Sequence, residues 1–173
     1  MAVTPYGATD AFDLGVSVTT VDGSSIGTSI VATVPITVTN PGLDIVGDGT
    51  GETLVGGAGA DLIAGGGGAD VLTGGAGPDL FVWQAGDLAG GVVDQITDFD
   101  ASQDVLDLAA LLTAYDPASD VVADFVALSE AGGNTTVSID QAGGGNHTTD
   151  VVELTGVTGL DLATLVASSH ITV

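Results

Sequence analysis

Gly56-Gly57-Ala58-Gly59-Ala60-Asp61-Leu62-Ile63-Ala64, Gly65-Gly66-Gly67-Gly68-Ala69-Asp70-Val71-Leu72-Thr73 and Gly74-Gly75-Ala76-Gly77-Pro78-Asp79-Leu80-Phe81-Val82 stand in tandem without a gap. Each unit fits G-G-x-G-x-D-x-U-x, where U is a large apolar residue. A weaker copy precedes them at 47–55, with Glu52 in the acid position and Leu54 in the apolar one. The apolar register reaches back to Ile45, so Ile45, Leu54, Ile63, Leu72 and Phe81 recur every nine residues. A flexible linker is the simple reading of a glycine-rich segment, but a linker needs no phased acid and apolar positions.

The nonapeptide has a physical reading. Six residues make a turn and three a short strand. Glycine admits the positive φ that lets carbonyls curl inward. Those carbonyls and one carboxylate per turn form a cage of hard oxygens, which suits Ca²⁺ better than Mg²⁺. The U side chain points inward and stacks on its neighbours. One repeat buries almost nothing, so adjacent coils and metal must stabilise it. If two repeats make one coil, one ion lies between Glu52 and Asp70 and another, on the opposite edge, between Asp61 and Asp79. The ends then need other acids. Asp48 precedes the array, and Asp94, Asp98, Asp100, Asp104 and Asp107 follow it. The expected ligand set is Asp48, Glu52, Gly56, Gly57, Gly59, Asp61, Gly65, Gly66, Gly68, Asp70, Gly74, Gly75, Gly77, Asp79, Asp94, Asp98, Asp100 and Asp104, holding about two to five ions. The alternative for the acids at 94–107 is a solvated face.

Composition agrees. Among 173 residues there is no Lys or Arg, and 23 acids against 2 His give a formal charge of −23. Converging acids must therefore import their cations, and folding should be coupled to metal binding. The lack of basic residues excludes nucleic acid and anionic membranes as partners. At 45% hydrophobic the chain has material for a core. It has no Cys, which excludes disulfides and zinc–thiolate sites. No apolar run reaches the roughly 18 residues of a membrane helix. The N-terminus lacks the charged and apolar regions of a signal peptide. Cytosolic residence, an export route that ignores the N-terminus, or an excised fragment would each explain that.

Three segments follow. Residues 1–46 read as a β-hairpin: Phe12, Leu14, Val16 and Val18 alternate, Asp22-Gly23 turns, and Ile30, Ala32, Val34, Ile36 and Val38 alternate again. Residues 47–91 form the glycine-rich roll. Residues 92–173 regain ordinary complexity, with strands expected at Phe125–Leu128, Thr135–Ile139, Thr149–Leu154 and Ile171–Val173. A short helix is expected over Asp161–Ala167. Trp83 and Phe81 read as core at the end of the roll, and His147 and His170 as structural rather than catalytic. No H-E-x-x-H or G-x-S-x-G motif occurs, and no enzyme activity is expected of this chain.

The units at 56–82 resemble the RTX repeats of proteins exported by type I secretion. Asp94-Gln95-Ile96-Thr97-Asp98-Phe99-Asp100, with Asp104-Val105-Leu106-Asp107-Leu108, resembles the segment after those repeats in the type I secretion C-terminal target domain. Asn134–Asp140 and Val152–Val157 continue the likeness, which covers roughly residues 44–173. The resemblance implies a mainly β fold: a parallel β-roll with Ca²⁺ in its turns, flanked by an Ig-like remnant and a β-rich cap with one or two short helices. It implies an uncleaved C-terminal export signal, with Leu160–Val173 as the candidate, read by the ABC transporter assembly of a Gram-negative bacterium. The expected protein is a monomer, extracellular or on the cell surface. Its parent would be a large adhesin whose remainder lies upstream. The alternatives are the tail of a secreted protease, lipase or epimerase, and a Ca²⁺-dependent carbohydrate-binding module.

Overall fold

Positions seven to nine of each repeat become strand because the apolar U residue is flanked by residues that tolerate extension. In the computed structural model, which describes residues 42–173, these are Leu62–Ala64 (β3), Val71–Ala76 (β4) and Leu80–Val82 (β5). Asp44–Val46 (β1) and Thr53–Ala58 (β2) precede them. Strand partners are two repeats apart: Ile45 pairs with Ile63, Ile63 with Phe81, and Leu54 with Leu72, all parallel. Odd and even strands therefore build two separate sheets, and one coil consumes two repeats. The hairpin read over 1–46 falls, up to residue 41, outside the described residues.

Both sheets run on past the repeats. Asp94–Ile96 (β6) pairs with β4, and Val105–Asp107 (β7) with β5. The chain then makes an antiparallel meander of Val126–Ala131 (β8), Asn134–Ile139 (β9) and Thr149–Leu154 (β10). β10 lies parallel to β6, so the meander extends the roll's own sheet in the order β2-β4-β6-β10-β9-β8. Leu162–Ala167 (α1) is capped by Asp161, whose Oδ1 accepts from the Thr164 amide at 2.8 Å. Ile171–Thr172 (β11) returns parallel to β7 and completes the other sheet, β1-β3-β5-β7-β11. The expected roll with a β-rich cap is thus present, with one short α-helix and a 3₁₀ turn at Val122–Asp124. The boundaries at 46/47 and 91/92 do not separate sheets. β1 belongs to the roll, and β6 and β7 are its next coil, because stacked edges go on recruiting strands wherever an apolar side chain can enter the stack.

The core is the stack of U positions and its continuation. Ile63, Leu72, Phe81, Ile96 and Leu106 are fully buried. Ile45 and Leu54, on the first coil, are only partly covered. Leu108, Val137, Ile139, Val152, Leu154, Leu165 and Ile171 carry the same core through the cap. Residues 42–173 lie within one compact unit.

Candidate metal centre

Two repeats per coil place the repeat acids in two rows, one along each edge. Glu52, Asp70 and Asp94 share one; Asp61, Asp79 and Asp104 share the other. Each aspartate spends Oδ1 on the coil before it. Asp61 accepts from the Leu43 amide at 2.7 Å, Asp70 from Glu52 at 2.8 Å, and Asp79 from Asp61 at 2.9 Å, each across 18 residues. Asp94 accepts from the Asp70 amide at 2.9 Å across 24 residues, and Asp104 from Asp79 at 3.0 Å across 25. The ladder therefore survives the end of the repeat, stretched by the longer connections of the next coil. No spacing rule pointed to Asp94 and Asp104 as equivalents of the repeat aspartates.

The second oxygens divide the acids. Oδ2 of Asp61, Asp70 and Asp79 is buried and has no hydrogen-bond partner. The three residues are only 1–2% exposed. A buried carboxylate oxygen left unpaired costs several times what a hydrogen bond gains. Each points back at the first glycine of its own repeat, and a Cβ built on Gly56, Gly65 or Gly74 would collide with it. On Gly56 the same Cβ would also strike the carbonyl oxygen of Gly74, one coil on. Two acceptor oxygens thus flank one point, with no donor assigned to the carboxylate one. Only glycine leaves that space. The fourth-position glycines supply the turn itself: Gly59, Gly68 and Gly77 have φ of +127°, +112° and +121°, a region other residues avoid.

Electrostatics sharpens the need. Burial pushes the Asp70 carboxyl above the usual carboxylate range; Glu52, Asp87 and Asp48 add to the push, and the Glu52 amide opposes it. Burial likewise raises Asp79, with Asp104, Asp61 and Asp98 as neighbouring charges. No Lys or Arg exists to relieve them. Among the described residues no three His, Cys, Asp or Glu side chains converge as a metal cluster. A cation here would draw on main-chain carbonyls plus a carboxylate, an all-oxygen set that fits Ca²⁺.

The flanking acids differ. Glu52 is half-buried, and its longer arm reaches the Asp48 amide at 2.7 Å. Asp48 is exposed and held below the carboxylate range by Thr50, whose hydroxyl and amide both donate to it. Asp94 Oδ2 accepts from the Trp83 indole at 2.7 Å, and Asp104 Oδ2 from the Asp100 amide at 2.8 Å. Asp98 caps the Gly74 and Gly75 amides at 2.9 and 2.8 Å. Asp100 accepts from Ser102 and Gln103 and is held low by them. Of the acids expected as ligands, only Asp61, Asp70 and Asp79 present a buried oxygen without a donor. Trp83 is core, as expected, but its polar role was missed. His170 bonds the Asp104 carbonyl through Nδ1 at 2.7 Å.

Residues 46–81 match the family model of the RTX calcium-binding nonapeptide repeat in four copies. Among solved structures the chain is similar to the AlgE6R2 subunit of the Azotobacter vinelandii mannuronan C5-epimerase. Identity is 26% over 73% of this chain and 90% of that one, with a TM-score of 0.33. It is similar also to the AlgE6R3 subunit of that enzyme, at 24% identity over 86% of each chain and a TM-score of 0.27. No curated protein sequence matches. The chain thus carries RTX nonapeptide repeats, and such repeats bind Ca²⁺.

Proposed function

We propose that Asp61, Asp70 and Asp79, with carbonyls of the glycine turns around them, hold the Ca²⁺. We propose further that the chain is the calcium-folded module of a protein exported by type I secretion to the cell exterior, where a large surface adhesin is its parent. The observation that carries the calcium assignment is the trio of buried Oδ2 atoms without donors. A bound Ca²⁺ supplies the positive charge the sequence lacks. Where Ca²⁺ is scarce, the three carboxylates lie buried with no cation to compensate them, and the roll stays loose enough for export. At the 10⁻⁴–10⁻³ M affinities typical of extracellular modules, roughly, the exterior supplies the ion.

The export signal is assigned to Leu160–Val173, read by the transporter assembly before folding. The test fuses residues 42–173 to a passenger in a strain with a type I transporter. Removing 160–173 should abolish export, and unchanged export would sink the assignment. That segment also carries Leu165, Ile171 and the β11 pairing with β7. A control with Ile171→Ala, which weakens folding but keeps the segment, should still be exported.

A further inference from the structure

We infer that Trp83 and the Asp100 main chain terminate the calcium ladders, so that the coil carrying β6 and β7 closes without an ion. This rests on the reading that the orphaned oxygens of Asp61, Asp70 and Asp79 hold Ca²⁺. Five aspartates occupy equivalent rungs, each giving Oδ1 to the amide one coil earlier. Beyond the longer connections of the last coil, they differ at Oδ2. In the three repeats it has no partner. In Asp94 and Asp104, which are also buried, the protein itself supplies the donor.

The sequence shows what differs on one edge. The next nonapeptide would occupy 83–91 and reads Trp83-Gln84-Ala85-Gly86-Asp87-Leu88-Ala89-Gly90-Gly91. Its fourth glycine persists, with Gly86 at φ +113° beside +127°, +112° and +121° in the true repeats. Its sixth position is Leu88 in place of aspartate, and its first is Trp83 in place of glycine. In the repeats the first glycine leaves the space that the carboxylate oxygen faces. Here an indole stands at that position, is 2% exposed, and donates to Asp94. An indole N–H is a donor only, and its bond to a carboxylate is charge-assisted. It satisfies the oxygen at any Ca²⁺ concentration. Calcium dependence then stops at Val82. β6 and β7, tied to β10 and β11, form a standing end on which the calcium-dependent coils stack in turn.

Trp83 is the chain's single tryptophan, so one indole resonance and one emission report this bond. In the full chain stripped with EGTA, the indole N–H should stay dispersed in the ¹⁵N spectrum and protected from exchange, with the emission of a buried ring. Ca²⁺ should change it little. An indole that exchanges freely in EGTA and becomes protected only with Ca²⁺ overturns the inference. Calorimetric titration separates the rungs: Asp70→Asn should lower the number of ions bound, while Asp94→Asn keeps the number and displaces the indole resonance. Equal loss in both would also overturn it. Trp83→Phe keeps an aromatic ring and removes the donor, so protection of the Ile96 amide should become Ca²⁺-dependent; protection unchanged in EGTA counts against the inference. If the native chain binds no Ca²⁺ while the indole is protected, the calcium assignment fails and the Trp83–Asp94 lock stands.

Discussion

Asp61→Asn should change sign with calcium. Asp61 is 2% exposed, its Oδ1 accepts from Leu43, and its Oδ2 has no partner. Asparagine keeps the shape and the Oδ1 acceptor. It removes the buried charge and puts an N–H₂ donor at the Oδ2 position, which with the Gly74 carbonyl flanks the Cβ space of Gly56. Relief of an unsatisfied buried group is about 1–3 kcal/mol. At about 2–4 °C per kcal/mol for a domain of this size, the EGTA-treated variant should melt several degrees above wild type. If the calcium-free wild type is too loose to show a transition, the variant should instead gain β signal. In excess Ca²⁺ the order inverts. Losing one ion removes roughly 1.4 kcal/mol at tenfold above its Kd, about 2.7 at a hundredfold and about 4.1 at a thousandfold, so the inversion comes at the higher excess. Thermal melts followed by circular dichroism, with EGTA and with Ca²⁺, read both arms. A Ca²⁺-induced rise in melting temperature as large in the variant as in wild type would refute the assignment of Asp61 Oδ2 to a cation.

Gly56→Ala should abolish ordered turns on its edge, because the added Cβ meets the Gly74 carbonyl and Asp61 Oδ2; Gly49→Ala, with open space, should be silent in the same Ca²⁺ titration. Leu72→Ala removes a fully buried stack residue and should cost about 2–5 kcal/mol in a urea melt with Ca²⁺, whereas Val55→Ala, 57% exposed, should cost little; equal costs would contradict the stack. The pH dependence follows from burial of Asp70 and Asp79. Their raised folded-state pKa penalises the calcium-free fold above it, and the penalty vanishes as pH falls toward the unfolded value of 3.8. The calcium-free roll should therefore gain stability on acidification from neutral pH, while Ca²⁺ affinity falls because protons compete for the same oxygens. Asp48, Asp140 and Asp161, held low by local hydrogen bonds, act oppositely and lose their contribution only at still lower pH. Calcium-free melts across that range check it, and a monotonic loss of stability on mild acidification would contradict it.

The roll was legible because its period is covalent. Gly-Gly-x-Gly-x-Asp-x-U-x states which residue turns, which is buried and which faces the edge. The pairing of Ile63 with Phe81 and of Leu54 with Leu72 follows once two repeats make a coil. Strands in the cap were legible from apolar runs, but their partners were not. Nothing in Val152-Glu153-Leu154 announces parallel pairing with Asp94–Ile96, and the two-residue β11 is held to β7 by tertiary contacts, among them the burial of Ile171 and the His170–Asp104 bond. The acids at 94–104 looked alike in sequence. What separates them is where a donor happens to lie: Trp83 for Asp94, Gly74 and Gly75 for Asp98, Ser102 for Asp100. Such a donor is a tertiary fact that spacing does not encode.

The most direct measurement is a Ca²⁺ titration of the EGTA-stripped chain by far-ultraviolet circular dichroism, with Mg²⁺ as control. The account predicts a cooperative gain of β signal near millimolar Ca²⁺, roughly, none with Mg²⁺, and a weaker response when Asp70 or Asp79 is replaced by alanine. A chain that is fully folded in EGTA, or that responds to both ions alike, would contradict it.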